Sequence, residues 1–180
     1  MNDTSFQLLA QHGIKCEEGL TIEEIQRIEA LYDIEFPPSL RAFLQVCLPV
    51  SRGFYNWRDF SEQNTEAIRN MINYPNRYIW DTPDSIYWPD EWGNEPQDPD
   101  VFAAEVRKRL SEAATLIPVY AHRYIPAVAG EPPVFSIHGG DVIIYGETLD
   151  DYFQIEFGKR QQESVDITIT PYISFWSDLL

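Results

Sequence analysis

The chain is predicted to be an α+β fold in a single domain, residues 1–180. Three observations lead there. The first half carries helix caps and helical spacing of apolar residues. The stretch from Leu116 to Tyr145 carries strand patterns and a glycine turn. Helical spacing returns at Thr148. A chain of 180 residues suits one core, which can remove roughly 70% of the unfolded surface from water.

The elements follow in order. Asp3 or Thr4 is expected to cap a short helix carrying Phe6, Leu8 and Leu9, with Gly13 past its end. Thr21-Ile22-Glu23-Glu24 is a capping box. The Thr21 hydroxyl and Glu24 carboxylate can each satisfy an amide left open by the first helical turn. Ile22, Ile25, Ile28, Leu31 and Tyr32 then recur near helical spacing. Pro37-Pro38 ends that helix and opens another, with Leu40, Phe43, Leu44 and Cys47 on one buried face.

Residues 48–100 are the least regular. A short helix is expected from Thr65 to Ile72, and short strands at Ile79-Trp80 and Ile86-Tyr87-Trp88, broken by Pro83 and Pro89. The many large rings here predict a packed subregion rather than a linker. Asp98-Pro99-Asp100 starts a helix with Phe102, Val106, Leu110 and Ala113 on one face. Leu116–Tyr120 and Tyr124–Val128 read as strands whose prolines point to sheet edges or strand ends. Val134–His138, Gly139-Gly140-Asp141 and Val142–Tyr145 read as a hairpin. Thr148 caps a helix with Leu149, Tyr152, Phe153 and Phe157, closed by Gly158. Gln161–Ser164 is polar and expected to be mobile. A last helix over Tyr172–Leu180 would turn Ile173, Trp176 and Leu180 inward.

Composition narrows function. Thirteen Lys and Arg stand against 29 Asp and Glu, a net charge of −16. Such a field is expected to repel nucleic acid and anionic membrane and to attract basic partners or metal ions. No apolar run approaches the length of a membrane helix. The N-terminus lacks the basic and apolar regions of a secretory signal. Cys16 and Cys47 make no disulfide framework or C-x-x-C motif. Cys47 is expected to be a free core thiol, and a reducing, cytoplasmic location follows.

Motifs for chemistry are sparse. His122 and His138 flank strands and could converge near Asp141 on a metal, yet a turn-capping His138 and a strand-end His122 are the plainer expectation. There is no H-E-x-x-H, Walker A, G-x-G-x-x-G or G-x-S-x-G pattern. Asp81, Asp84, Asp90 and Glu91 among Trp80, Trp88 and Trp92 supply the residue types of a glycosidase, but acidic loops rich in aromatics more often combine packing with solvated charge. No catalytic residue, cofactor or metal is assigned. An enzyme acting on carbohydrate or through a metal ranks last among the functional readings.

The distribution of charge says more. Tyr78 to Val106 holds eight acids and no Lys or Arg. Tyr124 to Gly158 holds six acids and again no base. A solvated surface kept for solubility accounts for this blandly. Self-repulsion has a folding cost, which favours a use: docking a basic protein. Asp81, Asp84, Asp90, Glu91, Glu95, Asp150 and Asp151 are the candidate charged contacts, with Trp88 and Trp92 as anchors.

An ordered set of short motifs resembles the SUKH superfamily over about residues 20–158. It comprises Ile25–Ile34, Phe36-Pro37-Pro38-Ser39-Leu40-Arg41-Ala42-Phe43-Leu44, Gly53–Arg58, Trp92-Gly93, Ile117–Pro126, Pro133–Gly146, Leu149–Phe153 and Glu156-Phe157. The segment 159–180 matches none of it and is expected to be a C-terminal extension. The resemblance implies a central, mainly antiparallel sheet flanked by helices and a non-enzymatic, binding function. Bacterial members of the superfamily are regarded as immunity proteins that neutralise cognate toxins, often nucleases. Its other branch, regulators of cell-wall assembly and glucan synthesis, implies a regulatory scaffold as the alternative. An acidic inhibitor suits a basic toxin domain, because opposite fields speed association.

Overall fold

A four-stranded antiparallel meander divides the molecule into two apolar layers. The computed structural model describes residues 3–180. The strands are β3 (Leu116–Tyr120), β4 (Arg123–Pro126), β5 (Val134–His138) and β6 (Asp141–Gly146), ordered β3-β4-β5-β6. Side chains alternate across a pleated strand. Ile117, Val119, Ile125 and Val134 therefore enter one core, and Leu116, Tyr124, Phe135, Ile137, Val142 and Ile144 the other. Pro118 lies on the edge strand β3, where no neighbour needs its missing N–H.

The first layer holds α1 (Asp3–Gln11), α2 (Ile22–Tyr32), α3 (Pro38–Leu44) and α6 (Leu149–Glu156). Thr4 lies inside α1 rather than capping it, and the Asp3 side chain falls outside the described residues. The capping box of α2 forms as expected: Thr21 N–H donates to Glu24 Oε2 at 2.8 Å, and Glu24 N–H to Thr21 Oγ1 at 3.1 Å. Pro38 opens α3, which buries Leu40, Phe43 and Leu44. Thr148 caps α6, its hydroxyl accepting from Asp151 N–H.

Cys47 does not continue α3. It starts β2 (Cys47–Pro49), which pairs antiparallel with β1 (Cys16–Glu18), and it forms a disulfide with Cys16. The expected free thiol is thus corrected. Cys47 is buried, as a small hydrophobe would be, but it is cross-linked. Residues 31 apart in sequence meet only through the turn of chain that carries α2 and α3, which cysteine spacing alone does not reveal.

α4 runs from Glu62 to Asp81, twenty residues, and contains Pro75. The expected short helix therefore extends through its proline, and Ile79-Trp80 is helix rather than strand. Ile68, Ile72, Pro75 and Ile79 share one buried face. Packing on both cores offsets the lost backbone hydrogen bond at Pro75. The expected strand at Ile86–Trp88 is an unpaired extended segment between two 3-10 turns, Pro83–Ser85 and Asp90–Trp92.

α5 (Pro99–Leu110) packs beside α4 in the second layer. Asp98 caps it, and Arg107, Lys108 and Arg109 complement the dipole at its end. Within the C-terminal segment, residues 173–176 complete this layer. Ile173, Phe175 and Trp176 are buried in the second core, and the Trp176 indole N–H donates to Ala114 O at 2.8 Å. Leu180, expected inside, is 49% exposed. Gln162–Ser164, expected to be mobile, is a 3-10 turn gripped by Arg160, whose Nε donates to Ser164 Oγ at 3.0 Å. No helix among the described residues is long and apolar enough to cross a membrane.

Candidate functional site: an acidic cleft at the β6 end of the second layer

Three stretches of chain meet around a cleft of about 570 Å³. One wall is the extended segment Ser85–Glu91. The second is Gly140, Asp141 and Val142 at the start of β6. The third is Asp178, Leu179 and Leu180. The walls stand close because Gly140 lacks a side chain: a Cβ there would lie 2.2 Å from the Ser85 carbonyl oxygen.

Asp90, Glu91, Asp141 and Asp178 line this cleft, and no Lys or Arg does. Among the described residues Asp90, Glu91 and Asp141 have no ion-pair partner. Asp178 is held in place. It accepts the Trp92 indole N–H at 2.9 Å and the Tyr172 hydroxyl at 2.5 Å. Binding to that carboxylate pushes the Tyr172 hydroxyl up to about 12, with burial and the nearby Glu91 charge adding to the shift.

The aromatic anchors divide. Trp88 is half-buried, meets Trp92 edge-on at 5.2 Å and donates its N–H to Gly93 O at 2.8 Å. Trp92 packs toward the core, with Arg109 stacked 4.6 Å over its ring. Both rings stiffen the wall. The ring most available to a partner is Tyr87, 96% exposed on the extended segment where a strand was expected. Its signal was the period-2 alternation of an extended segment: Ile86 in, Tyr87 out, Trp88 in.

The other expected acids lie elsewhere. Asp84 and Glu95 line a separate, smaller cleft with Pro83, Pro96 and Phe102. Asp81 is exposed at the end of α4 and lines neither cleft. Asp150 and Asp151 lie on α6, in the layer across the sheet. Asp150 accepts the buried Ser5 hydroxyl at 2.6 Å. Asp151 is itself buried and ion-paired with Arg160, and it accepts Glu147 N–H at 2.8 Å. Asp151 is therefore not the docking contact expected from the sequence, because its carboxylate is engaged inside the fold. Asp141 and Asp178 meet Asp90 at this cleft only through folding, so their spacing in sequence does not single them out.

The histidines do converge, with ring centroids 6.0 Å apart. The Arg123 guanidinium touches His122 Nε2, a poor setting for a divalent cation. Among the described residues no three His, Cys, Asp or Glu side chains are grouped to hold a metal. Burial, Arg123 and His138 together lower the His122 pKa.

Comparison with protein-family models, with curated proteins and with solved structures finds no match to this chain.

Proposed function

We propose that this protein works by binding, docking a basic protein partner on the acidic cleft of the second layer. The observation that carries this reading is the pairing pattern: Asp90, Glu91 and Asp141 line one concave site with no ion-pair partner among the described residues, next to the exposed ring of Tyr87. The most concrete form is an immunity-type protein that occludes the active site or substrate groove of a cognate toxin. The SUKH-like motifs support that form, and the charge of a nucleic-acid-cleaving toxin would complement the cleft.

A cytoplasmic location belongs to the same proposal. Thiol buffers of the cytoplasm keep most cysteine pairs reduced, so the redox state of Cys16–Cys47 in cells bears directly on it.

One observation favours a carbohydrate-active enzyme: carboxylates stand on different walls of a cleft beside Tyr87 and Trp88. Such chemistry needs one carboxyl in an apolar, desolvated setting to act as an acid. Asp90, Glu91 and Asp141 are exposed, and Asp178 already accepts two hydrogen bonds. Binding is therefore the better reading.

The test is capture of partners by the tagged protein from its own organism's lysate, at low and high salt, beside the variant Asp90→Lys/Glu91→Lys/Asp141→Lys. One basic partner, released by salt and absent from the folded variant, is the expected result. Equal capture by the variant would sink the assignment.

A further inference from the structure

Two turns at one end of the sheet bring their histidines together. His122 follows Ala121 in the turn between β3 and β4, and His138 ends β5 just before Gly139. Both side chains are exposed, with the ring planes inclined at 69°. Each turn is fixed from outside the sheet. Ala121 holds a left-handed backbone, φ 47°, which a residue with a Cβ adopts only when its surroundings impose it. Its N–H donates to Gly53 O at 2.8 Å, and its carbonyl accepts the Tyr55 hydroxyl at 2.6 Å. Gly139 donates its N–H to the Tyr74 hydroxyl oxygen at 3.2 Å, and a Cβ there would lie 3.1 Å from the Tyr78 side chain.

Arg123 adjoins both rings and is buried. Its Nη1 donates to Ser136 Oγ at 2.9 Å and to His122 Nε2, its Nε lies 3.3 Å from Glu156 Oε2, and its guanidinium stacks 3.8 Å over the Tyr145 ring. Because His122 Nε2 accepts, the neutral ring carries its proton on Nδ1. Among the described residues, His122 Nδ1, the His138 ring and Arg123 Nη2 have no hydrogen-bond partner. Unpaired donors therefore gather at this corner, while Glu156 offsets the charge of Arg123.

Such a set fits an oxyanion. A carboxylate offers two oxygens in one plane. A phosphate group offers three or more in three dimensions, which suits a guanidinium and two inclined rings. We infer that His122, His138 and Arg123 form a binding site for a phosphate group. The inference does not rest on the docking reading. The net charge of −16 opposes any anion, but salt screens charges beyond about 8 Å, so the donors in contact decide. Protonation adds a donor and a charge to each ring, so binding tightens as pH falls. The other charged or titratable groups facing the rings are Glu156 from α6, Asp141 opposite His138 and Tyr145 on β6, Tyr55, and Tyr74 and Tyr78 on α4.

The probe is sulfate, whose charge is constant between about pH 5.5 and about pH 8, titrated onto the intact protein while the imidazole proton resonances are followed. His12, just past α1, is the internal reference. His122 and His138 are expected to shift together while His12 stays. Affinity should be at least about tenfold higher at the lower pH, the effect of one charge-assisted bond, and the His122 titration midpoint should rise when sulfate is bound. His122→Gln and His138→Gln keep a neutral donor, and each should lose about tenfold in affinity at the lower pH while remaining folded. Tighter binding of phosphoserine than of inorganic phosphate would assign the site to a phosphate ester, and the reverse to the free ion. Equal shifts at all three histidines, affinity independent of pH, or acetate binding as tightly as sulfate would overturn the site. So would zinc ions moving His122 and His138 where sulfate does not.

Discussion

Carboxylates in the two layers of the molecule serve different ends. In the first layer, several acids are tied into the fold. Glu29 pairs with Arg41 at 2.6 Å and accepts Phe36 N–H at 2.9 Å. Glu24 pairs with Arg58 at 2.7 Å while capping α2, and Glu147 and Asp151 both grip Arg160. Arg58 also donates to the carbonyls of Glu18 and Gly19, so one guanidinium joins β1 to α2. At the cleft of the second layer, Asp90, Glu91 and Asp141 pair with no cation among the described residues. The contrast teaches that a count of acids mixes two populations. One holds elements together, and the other is left to meet something outside.

The sharpest way to break this comparison is to damage the second core itself. Trp176→Ala removes a fully buried indole and its bond to Ala114, and should cost about 3–5 kcal/mol in denaturant unfolding. A loss within error would mean that the C-terminal segment is not part of that core. Next comes the staple of the first layer. Reducing Cys16–Cys47, which closes a loop of 31 residues, should cost about 3–4 kcal/mol by chain entropy. Matched unfolding curves with and without reductant would show that the bond does not form in solution.

A smaller effect is expected at the tail clamp. Arg160→Ala leaves the buried Asp151 without its cation, but the arginine is a third exposed, which discounts the pair to about 1–2 kcal/mol. Hydrogen exchange over 161–169 should rise in that variant. Smallest of all, Asp90→Lys, Glu91→Lys and Asp141→Lys should each shift stability by no more than about 0.5 kcal/mol. A large loss at any of them would place that acid in the structural population.

Acid should sharpen the same division. The backbone N–H of Asp166, followed by Arg160, holds the Glu147 carboxyl below its ordinary value of 4.5. The Arg58 hydrogen bond, followed by the Thr21 amide, does the same at Glu24. Both groups bind protons more weakly folded than unfolded, so their stabilisation is complete above that value and is lost as pH falls through the lower folded value. His122 is also lowered, chiefly by burial, so the folded chain prefers its neutral ring. Its contribution is complete above 6.5 and fades as pH drops toward its folded value. Replacing Glu147 with Gln should flatten the acid limb of a stability–pH curve, and His122→Gln the limb just below 6.5.

Much of the fold was legible where local chemistry suffices. The Thr21–Glu24 box, Pro38 at a helix start, Asp98, Thr148 and the Gly139-Gly140 turn all act within a few residues, and each is found in the expected role. Misreadings arose where distant contacts outweighed local preference. Pro75 stays helical because two cores pack on α4, and Ile86–Trp88 lies extended with no strand beside it. The candidate site was legible in part. Trp88, Asp90 and Glu91 line the cleft, while Asp151 is buried in its pair with Arg160, nine residues on, which local sequence does not reveal.

The sequence by itself determined the α+β class, the caps that start the helices, the hairpin, and a net charge of −16. These follow from spacing, capping and summed charge, which need no three-dimensional coordinates. Only the tertiary structure decided which acids are free, that Cys16 reaches Cys47, and that residues 173–176 complete a core. Each of these depends on groups far apart in the chain. Their pairing is set by how two layers pack across one sheet, and no local pattern records it.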